Sequence, residues 1–208
     1  MTGIFITFEG IDGSGKSTQL ALLRQHMEEL GRTVTVVREP GGTVLSEKVR
    51  TLLLDHRSMD LCERAEALLF STARAQLVYE LIIPALERGE VVLCDRYAES
   101  TIAYQGYGRE LPLEEIITLQ EFATSHLHPN LKVLLDLDVD VAAARLLGSF
   151  ADRMESAGLA FQERVRQGYL QMSQAAPNEW LVVNGSQPKE KIAEEVRSFI
   201  EQNIFKGS

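Results

Sequence analysis

The chain reads as an α/β protein, a five-stranded parallel sheet with helices on both faces. Three observations predict it. Five short apolar runs recur along 208 residues, at 4–8, 34–37, 91–94, 132–137 and 180–183. Segments with helical spacing separate them, and such alternation is the pattern of a parallel sheet. The first run passes through a glycine-rich loop straight into a helix. That order is what a phosphate-binding loop requires, because the helix N-terminus adds its partial positive charge beneath the phosphates.

Each element follows from its residues. Ile4-Phe5-Ile6-Thr7-Phe8 is β-branched and aromatic, and reads as a buried strand. Gly10-Ile11-Asp12-Gly13-Ser14-Gly15-Lys16-Ser17 matches Gly, four residues, Gly-Lys-Ser/Thr. Its glycines let backbone N–H groups turn toward a polyphosphate, Lys16 brings a point charge, and the Ser17 hydroxyl can ligate Mg²⁺. From Thr18 to Leu30, Leu20, Leu22, Leu23, Met27 and Leu30 fall near helical spacing, and Gly31 stops the helix. Glu63 to Glu87 is mostly helical, with Pro84 expected to kink or restart it. A further helix is expected around Val141 to Leu147. No internal repeat, low-complexity tract or linker interrupts the chain, so residues 1–208 read as one domain, with Lys206-Gly207-Ser208 set aside as a tail.

Composition narrows the function classes. The formal net charge is −9, which disfavours nonspecific nucleic-acid or anionic-membrane binding. A polyanion site must therefore gather Lys and Arg locally. No basic segment precedes an apolar stretch at the N-terminus and no run approaches membrane-spanning length, so a cytoplasmic location is expected. Cys62 and Cys94 lack metal-ligand spacing and read as free thiols. His126 and His128 read as a solvated loop.

In a parallel α/β sheet, ligands gather at the carboxyl ends of the strands. There the sequence sets the phosphate loop, Arg38-Glu39-Pro40-Gly41-Gly42-Thr43, Asp95-Arg96-Tyr97, Asp136 with Asp138 and Asp140, and Asn184-Gly185-Ser186-Gln187-Pro188. An acid at the tip of an apolar strand, Asp95, is what a second metal-binding carboxylate looks like here; capping a turn is its plainer reading. Arg38, Arg50 and Arg96 exceed what one triphosphate already held by the loop requires, and guanidinium pairs bidentately with phosphate. They imply a phosphorylated acceptor, with surface salt bridges as the alternative. Phe70 and Arg74 lie one helical turn apart, so an aromatic plane and a guanidinium could stack a nucleobase and bond its edge. By itself Phe70, beside Leu68 and Leu69, reads more often as core.

These residues resemble the thymidylate kinase (dTMP kinase) family of P-loop nucleoside-monophosphate kinases. The matching runs are Phe8-Glu9-Gly10 with the phosphate loop, Arg38 to Thr43, Arg50 to Leu54, Ala65 to Phe70 with Ala73 to Gln76, Asp95-Arg96-Tyr97, Ser100-Thr101 with Ala103 to Gly106, and Asp152-Arg153 with Glu155. The resemblance implies a P-loop NTPase-type fold with a short lid at about 145–156. It implies Mg²⁺-dependent transfer of the ATP γ-phosphoryl group to dTMP, in a homodimer. Gly10, Asp12, Gly13, Ser14, Gly15, Lys16, Ser17, Thr18, Arg145 and Gln187 would hold ATP, and Ser17 with Asp95 the metal. Asp12 would also meet the acceptor sugar 3′-hydroxyl. Arg38, Glu39, Arg50 and Arg96 would surround the acceptor phosphate. Phe70 would stack on thymine, Arg74 would donate to its O4, and Ser100, Thr101 and Gln105 would read the rest of the base. Tyr104 would crowd the 2′ position.

Lys16, Asp95, Arg96 and Arg153 are the catalytic candidates. Some family members carry an arginine inside the phosphate loop, where this chain has Gly13. The missing charge is expected from the lid, through Arg153 supported by Arg145, with Arg164 and Arg166 in reserve; pairing of Arg153 with Asp152 or Glu155 is the alternative. Two other readings remain: a related kinase with another acceptor such as dUMP, and a nucleotide switch. The second lacks the Asn-Lys-x-Asp run that specifies guanine, since the fifth-strand loop reads Asn184-Gly185-Ser186-Gln187.

Overall fold

The computed structural model describes residues 3–55, 61–147 and 157–205. Its strands are β1 (Ile4–Glu9), β2 (Val34–Arg38), β3 (Val91–Asp95), β4 (Leu131–Asp136) and β5 (Trp180–Asn184). All pair in parallel, in the order β2-β3-β1-β4-β5. The expected strands are all present, each within a residue or so at its ends. Continuous apolar runs mark strands buried on both faces: β1 and β3 are buried along most of their length.

Register sets up the site. Phe8 pairs with Asp95, and Asp95 with Arg38. Three strands therefore end abreast, and Gly10, Arg96 and Glu39 leave the sheet side by side. Backbone bonds fasten the corner, with Arg96 N donating to Phe8 O at 3.0 Å and Glu39 N to Asp95 O at 3.0 Å.

The helices are α1 (Lys16–Glu29), α2 (Val44–Leu54), α3 (Glu63–Leu77), α4 (Ile83–Glu87), α5 (Ala98–Thr101), α6 (Leu113–Thr124), α7 (Val139–Leu146), α8 (Leu159–Ala175) and α9 (Lys189–Asn203). Leu20, Leu23 and Met27 bury one face of α1 against β1, β3 and β4, with Ile192, Val196 and Ile200 of α9 beside them. Gly31, at φ 74°, ends α1 as expected. On the other face, Leu77, Val78 and Ile82 pack on Phe5, Val92 and Cys94.

The restart expected at Pro84 takes the form of a π-helical turn, Val78–Ile82, before α4. Proline lacks the N–H that an α turn needs and crowds the carbonyl four residues back, so the wider turn spreads the mismatch. A second π segment, Ile102–Gly108, extends α5; its i→i+5 bond from Arg109 N to Tyr104 O is 2.9 Å. Such turns recur at functional sites, and this one carries Tyr104 and Gln105.

Among the described residues no helix is long and apolar enough to cross a membrane. His126 and His128 both face Glu121, at 3.0 and 3.4 Å. Cys62 is exposed and Cys94 buried, both free.

Leu93 lies at the centre of β3 with no exposed surface. Leu93→Ala should cost about 2–5 kcal/mol of stability, read as a lower urea midpoint at unchanged m. A loss under about 1 kcal/mol would mean that this layer is not close-packed.

Candidate active site

The phosphate loop is a concave backbone turn. Gly10, Gly13 and Gly15 have φ of 132°, 78° and 98°, values that a residue with a Cβ adopts at a cost. At Gly13 a Cβ would also lie 2.8 Å from Ala142 O. An arginine in that place would be strained by its backbone and would meet α7. Gly15 caps α1 without a side-chain bond, and the first turn of α1 holds no acid. Its N–H groups face the loop, an arrangement that suits an anion.

Lys16 Nζ donates to Gly10 O and Ile11 O, each at 3.0 Å. Burial and the nearby Arg96 push its ammonium down to about 8, against Asp12 and Asp95, which hold it charged. Ser17 Oγ donates to Asp95 Oδ2 at 2.9 Å. This pair of oxygens at the loop mouth is the donor set Mg²⁺ takes, hard oxygens with room for water and phosphate.

Arg96 is the hub. It holds φ 72°, rare for a residue other than glycine. Its guanidinium donates to Asp12 Oδ1 at 2.6 Å, Gly10 O at 2.9 Å and the Tyr104 hydroxyl at 3.1 Å, and reaches Ser100 and Tyr169 at 3.3 Å. Burial opposes ionisation of Asp12, but Arg96 and Lys16 outweigh it and hold the carboxyl down at about 2. Asp12 also accepts from the Tyr104 hydroxyl at 3.1 Å.

Two concavities meet at this hub. One is lined by Gly13, Gly15, Lys16, Ser17, Thr18, Arg38, Asp95 and Arg145. The other is lined by Phe70, Arg74, Ser100, Thr101, Tyr104, Gln105, Pro40 and Leu54. Asp12, Glu39, Arg50 and Arg96 line both. Most of the residues singled out in the sequence come together here. Phe70 is half-buried and packs beside Val49 and Leu53, so the core and stacking readings are two faces of one ring.

Some candidates are placed differently. Arg38 is half-exposed and pairs with Glu47 at 3.0 Å. Arg74 is buried, bound to Glu39 at 2.5 Å, to Tyr97 O and Thr101 at 2.8 and 2.9 Å, and to Gln120. Ser14 is buried beneath the loop, and Gln187 lines neither concavity. Arg145 donates to Gly13 O at 3.2 Å and Gly185 O at 3.0 Å, tying the phosphate loop to the loop that carries Gln187. Of the reserve arginines, Arg164 is bound to Gly108 O at 2.9 Å and Arg166 to Asp136 at 2.7 Å. Arg153 and the lid segment 148–156 lie outside the described residues.

Sequence reading passed over Glu9 and Tyr169. Glu9 accepts from Tyr97 N at 2.8 Å, Ser100 Oγ at 2.6 Å and the Tyr169 hydroxyl at 3.1 Å. Burial, then Glu99, pushes its carboxyl up to about 7, against those bonds and Arg96. An acid closing an otherwise apolar strand was the available signal. Tyr169 lies 160 residues from Glu9 along the chain, and no local pattern marks it.

A triphosphate cradle that opens onto a second anion-holding pocket belongs to a phosphotransferase of the nucleoside-monophosphate kinase class. Comparison with known proteins agrees and narrows it. The Thymidylate kinase family profile matches residues 8–196. A Bifidobacterium longum (strain DJO10A) thymidylate kinase is 50% identical over 97% of this chain and 99% of its own length. A Citrifermentans bemidjiense thymidylate kinase is 48% identical over 88% of this chain and 85% of its own. The crystal structure of thymidylate kinase from Ehrlichia chaffeensis superposes with a TM-score of 0.79 at 33% identity, covering 96% of this chain and 99% of that one. The chain belongs to the thymidylate kinase family, enzymes that phosphorylate dTMP with ATP.

The buried Glu9 gives a pH signature. Its folded value near 7 lies above the ordinary 4.5, so the fold retains a proton that the unfolded chain releases between them. Stability from this group is full below about pH 4.5 and is lost as pH rises through about 7. Glu9→Gln keeps the neutral form, so urea midpoints of the variant should fall less than those of the wild type between pH 5 and 7.5. Parallel curves would refute the assignment.

Proposed function

We propose that this chain transfers the γ-phosphoryl group of ATP to dTMP, with the residues of the two joined concavities in the roles below. One observation carries the reading: Asp12, Glu39, Arg50 and Arg96 line both spaces. The end of a triphosphate in the loop and the phosphate of an acceptor would meet at those four residues.

Both substrates are anionic, so catalysis is positioning and charge neutralisation. Lys16 exchanges its two loop carbonyls for phosphate oxygens. Ser17 and Asp95 would hold Mg²⁺, which when bound would neutralise charge on the phosphates. Arg96 arrives preorganised: its partners fix the guanidinium before substrate enters, and the strained backbone at φ 72° is what aims it into the junction. Arg50, which donates to Pro40 O at 2.9 Å, and Arg38 add charge around the acceptor phosphate. Glu39 stays close to the phosphates while paired with Arg74. The acceptor oxygen is ionised near neutral pH, its second pKa being about 6, so no strong general base is required. Asp12 orients the acceptor sugar, Phe70 stacks the base, and Ser100, Thr101 and Gln105 line its edge with Arg74. Tyr104 disfavours a 2′-hydroxyl. Arg145 and Gln187 serve the ATP side, and Arg153 brings the charge that Gly13 does not.

The same reading makes the chain one kinase domain acting in the cytoplasm, and a homodimer. Exposed apolar side chains on α2, α3 and α6, among them Leu52, Leu68 and Phe122, support the pairing.

The deciding experiment is ADP release under Mg-ATP with dTMP, dUMP, dCMP, AMP and GMP. Preference for dTMP over dUMP rests on one methyl, about 1–3 kcal/mol. If dTMP is not among the best acceptors, the proposal fails. Lys16→Ala should abolish transfer with an unchanged circular dichroism spectrum. Arg153→Ala should lower kcat by about 10³-fold if it acts as an arginine finger; a drop of only a few-fold removes it from that role.

A further inference from the structure

Behind the acceptor pocket lies an ion pair with no part in the reaction as described. Glu66 sits in the first turn of α3 and is almost wholly buried. Its Oε1 accepts from Gln105 Nε2 at 2.8 Å. Arg109, just past the π segment, donates to both carboxylate oxygens, Nε to Oε1 and Nη2 to Oε2, each at 3.2 Å. The Arg109 guanidinium in turn lies 4.7 Å above the Phe161 ring. So the carboxylate is held in place from the side away from the pocket.

Both carboxylate oxygens already accept from the arginine, so the carboxylate meets Gln105 as an acceptor. The amide of Gln105 must turn its nitrogen toward Glu66 and its oxygen the other way. That side-chain nitrogen bond is the one hydrogen bond the Gln105 side chain makes among the described residues, and Gln105 lines the acceptor pocket. Across the same pocket, Arg74 has its Nη atoms engaged by Glu39, Thr101, Tyr97 and Gln120, while its buried Nε has no hydrogen-bond partner among the described residues. The Gln105 amide thus gives the pocket one acceptor whose direction is fixed.

The geometry points to Glu66, braced by Arg109, as the positioning residue that sets the hydrogen-bond polarity of Gln105 and thereby selects a pyrimidine imide over an aminopyrimidine. This deepens the proposed function and rests on it. An imide edge presents a ring N–H, which such an acceptor takes. Cytosine presents an unprotonated ring nitrogen in that place, which sets acceptor against acceptor. Unpaired or mispaired buried polar groups carry the full desolvation cost, so such a site rejects the wrong base far more strongly than an apolar slot can. With glutamine in place of Glu66, either face of the Gln105 amide could turn inward, and this selection would be lost.

The test compares kcat/KM for dTMP and dCMP in the wild type and Glu66→Gln. The variant should lower the dTMP-to-dCMP ratio about tenfold or more, with KM for ATP unchanged, whatever happens to its melting temperature. A merely structural role would reduce both acceptors in proportion, and a ratio within twofold of wild type overturns the inference. The wild type supplies a second readout independent of folding of the variant. The Gln105 side-chain NH₂ signal in ¹⁵N NMR should be protected and nearly unmoved on adding dTMP, since the nitrogen stays on Glu66. A large shift, showing that the nitrogen meets the base, would equally overturn it. Absence of dTMP phosphorylation in the wild type would instead defeat the proposed function, so the two failures are distinguishable.

Discussion

The site depends on where Arg96 stands and how it is held. Its backbone is left-handed, a conformation costing of order 1 kcal/mol or more, and it occupies the residue where β3 leaves the sheet. The neighbouring strands end in register with β3, so the guanidinium emerges between the phosphate loop on one side and the Arg38–Thr43 turn on the other. From there it reaches Gly10, Asp12, Ser100, Tyr104 and Tyr169. One side chain therefore joins the first loop, the π segment and α8. Shifting any of these changes the position of a charge that both concavities share.

Around this hub the protein buries many ionisable side chains. Glu9, Glu39, Glu66, Arg74, Lys16 and Lys132 are all buried. Each is paired or heavily hydrogen-bonded; Lys132, for example, lies between Glu99 at 2.9 Å and Glu179 at 2.7 Å. Buried ion pairs contribute little net stability, because desolvation offsets attraction. What they supply here is orientation. Glu39 and Gln120 hold Arg74, Glu66 holds Gln105, and Asp12 holds Arg96. They also ease the conflict between a net charge of −9 and two anionic substrates: Asp12 and Glu39, which line both concavities, are each paired with an arginine.

How far sequence reached follows from which interactions are local. The strands were legible because a strand buried on both faces is an unbroken apolar run, and the phosphate loop because its glycines and lysine are consecutive. Arg96 and Asp95 were legible because the fold rule places ligands at strand tips. The Ser100 to Gln105 cluster was legible only through resemblance, since its π geometry has no periodic signature. Glu66 was invisible as a positioning group, for an acid in the first turn of a helix ordinarily complements the helix dipole. Arg74 was read as a donor to the base edge, yet the fold spends most of that guanidinium on protein acceptors. No spacing rule anticipates Tyr169 or Gln120, whose partners lie on elements remote in sequence.

The two halves of the site are built on different physical grounds. In the proposed reading, recognition on the donor side rests on backbone N–H groups, a helix terminus and a lysine whose own partners are exchangeable carbonyls. Such a surface accepts any triphosphate end that fits, because polyphosphates all present the same oxygens. On the acceptor side each polar side chain is locked by another behind it, so donors and acceptors keep their identities before a ligand arrives. A base with the wrong pattern cannot be accommodated by rotating an amide or a guanidinium. Phosphate binding needs charge that can rearrange, whereas base reading needs polarity that cannot. The buried ion pairs lie on the side of the site where rearrangement would erase selectivity.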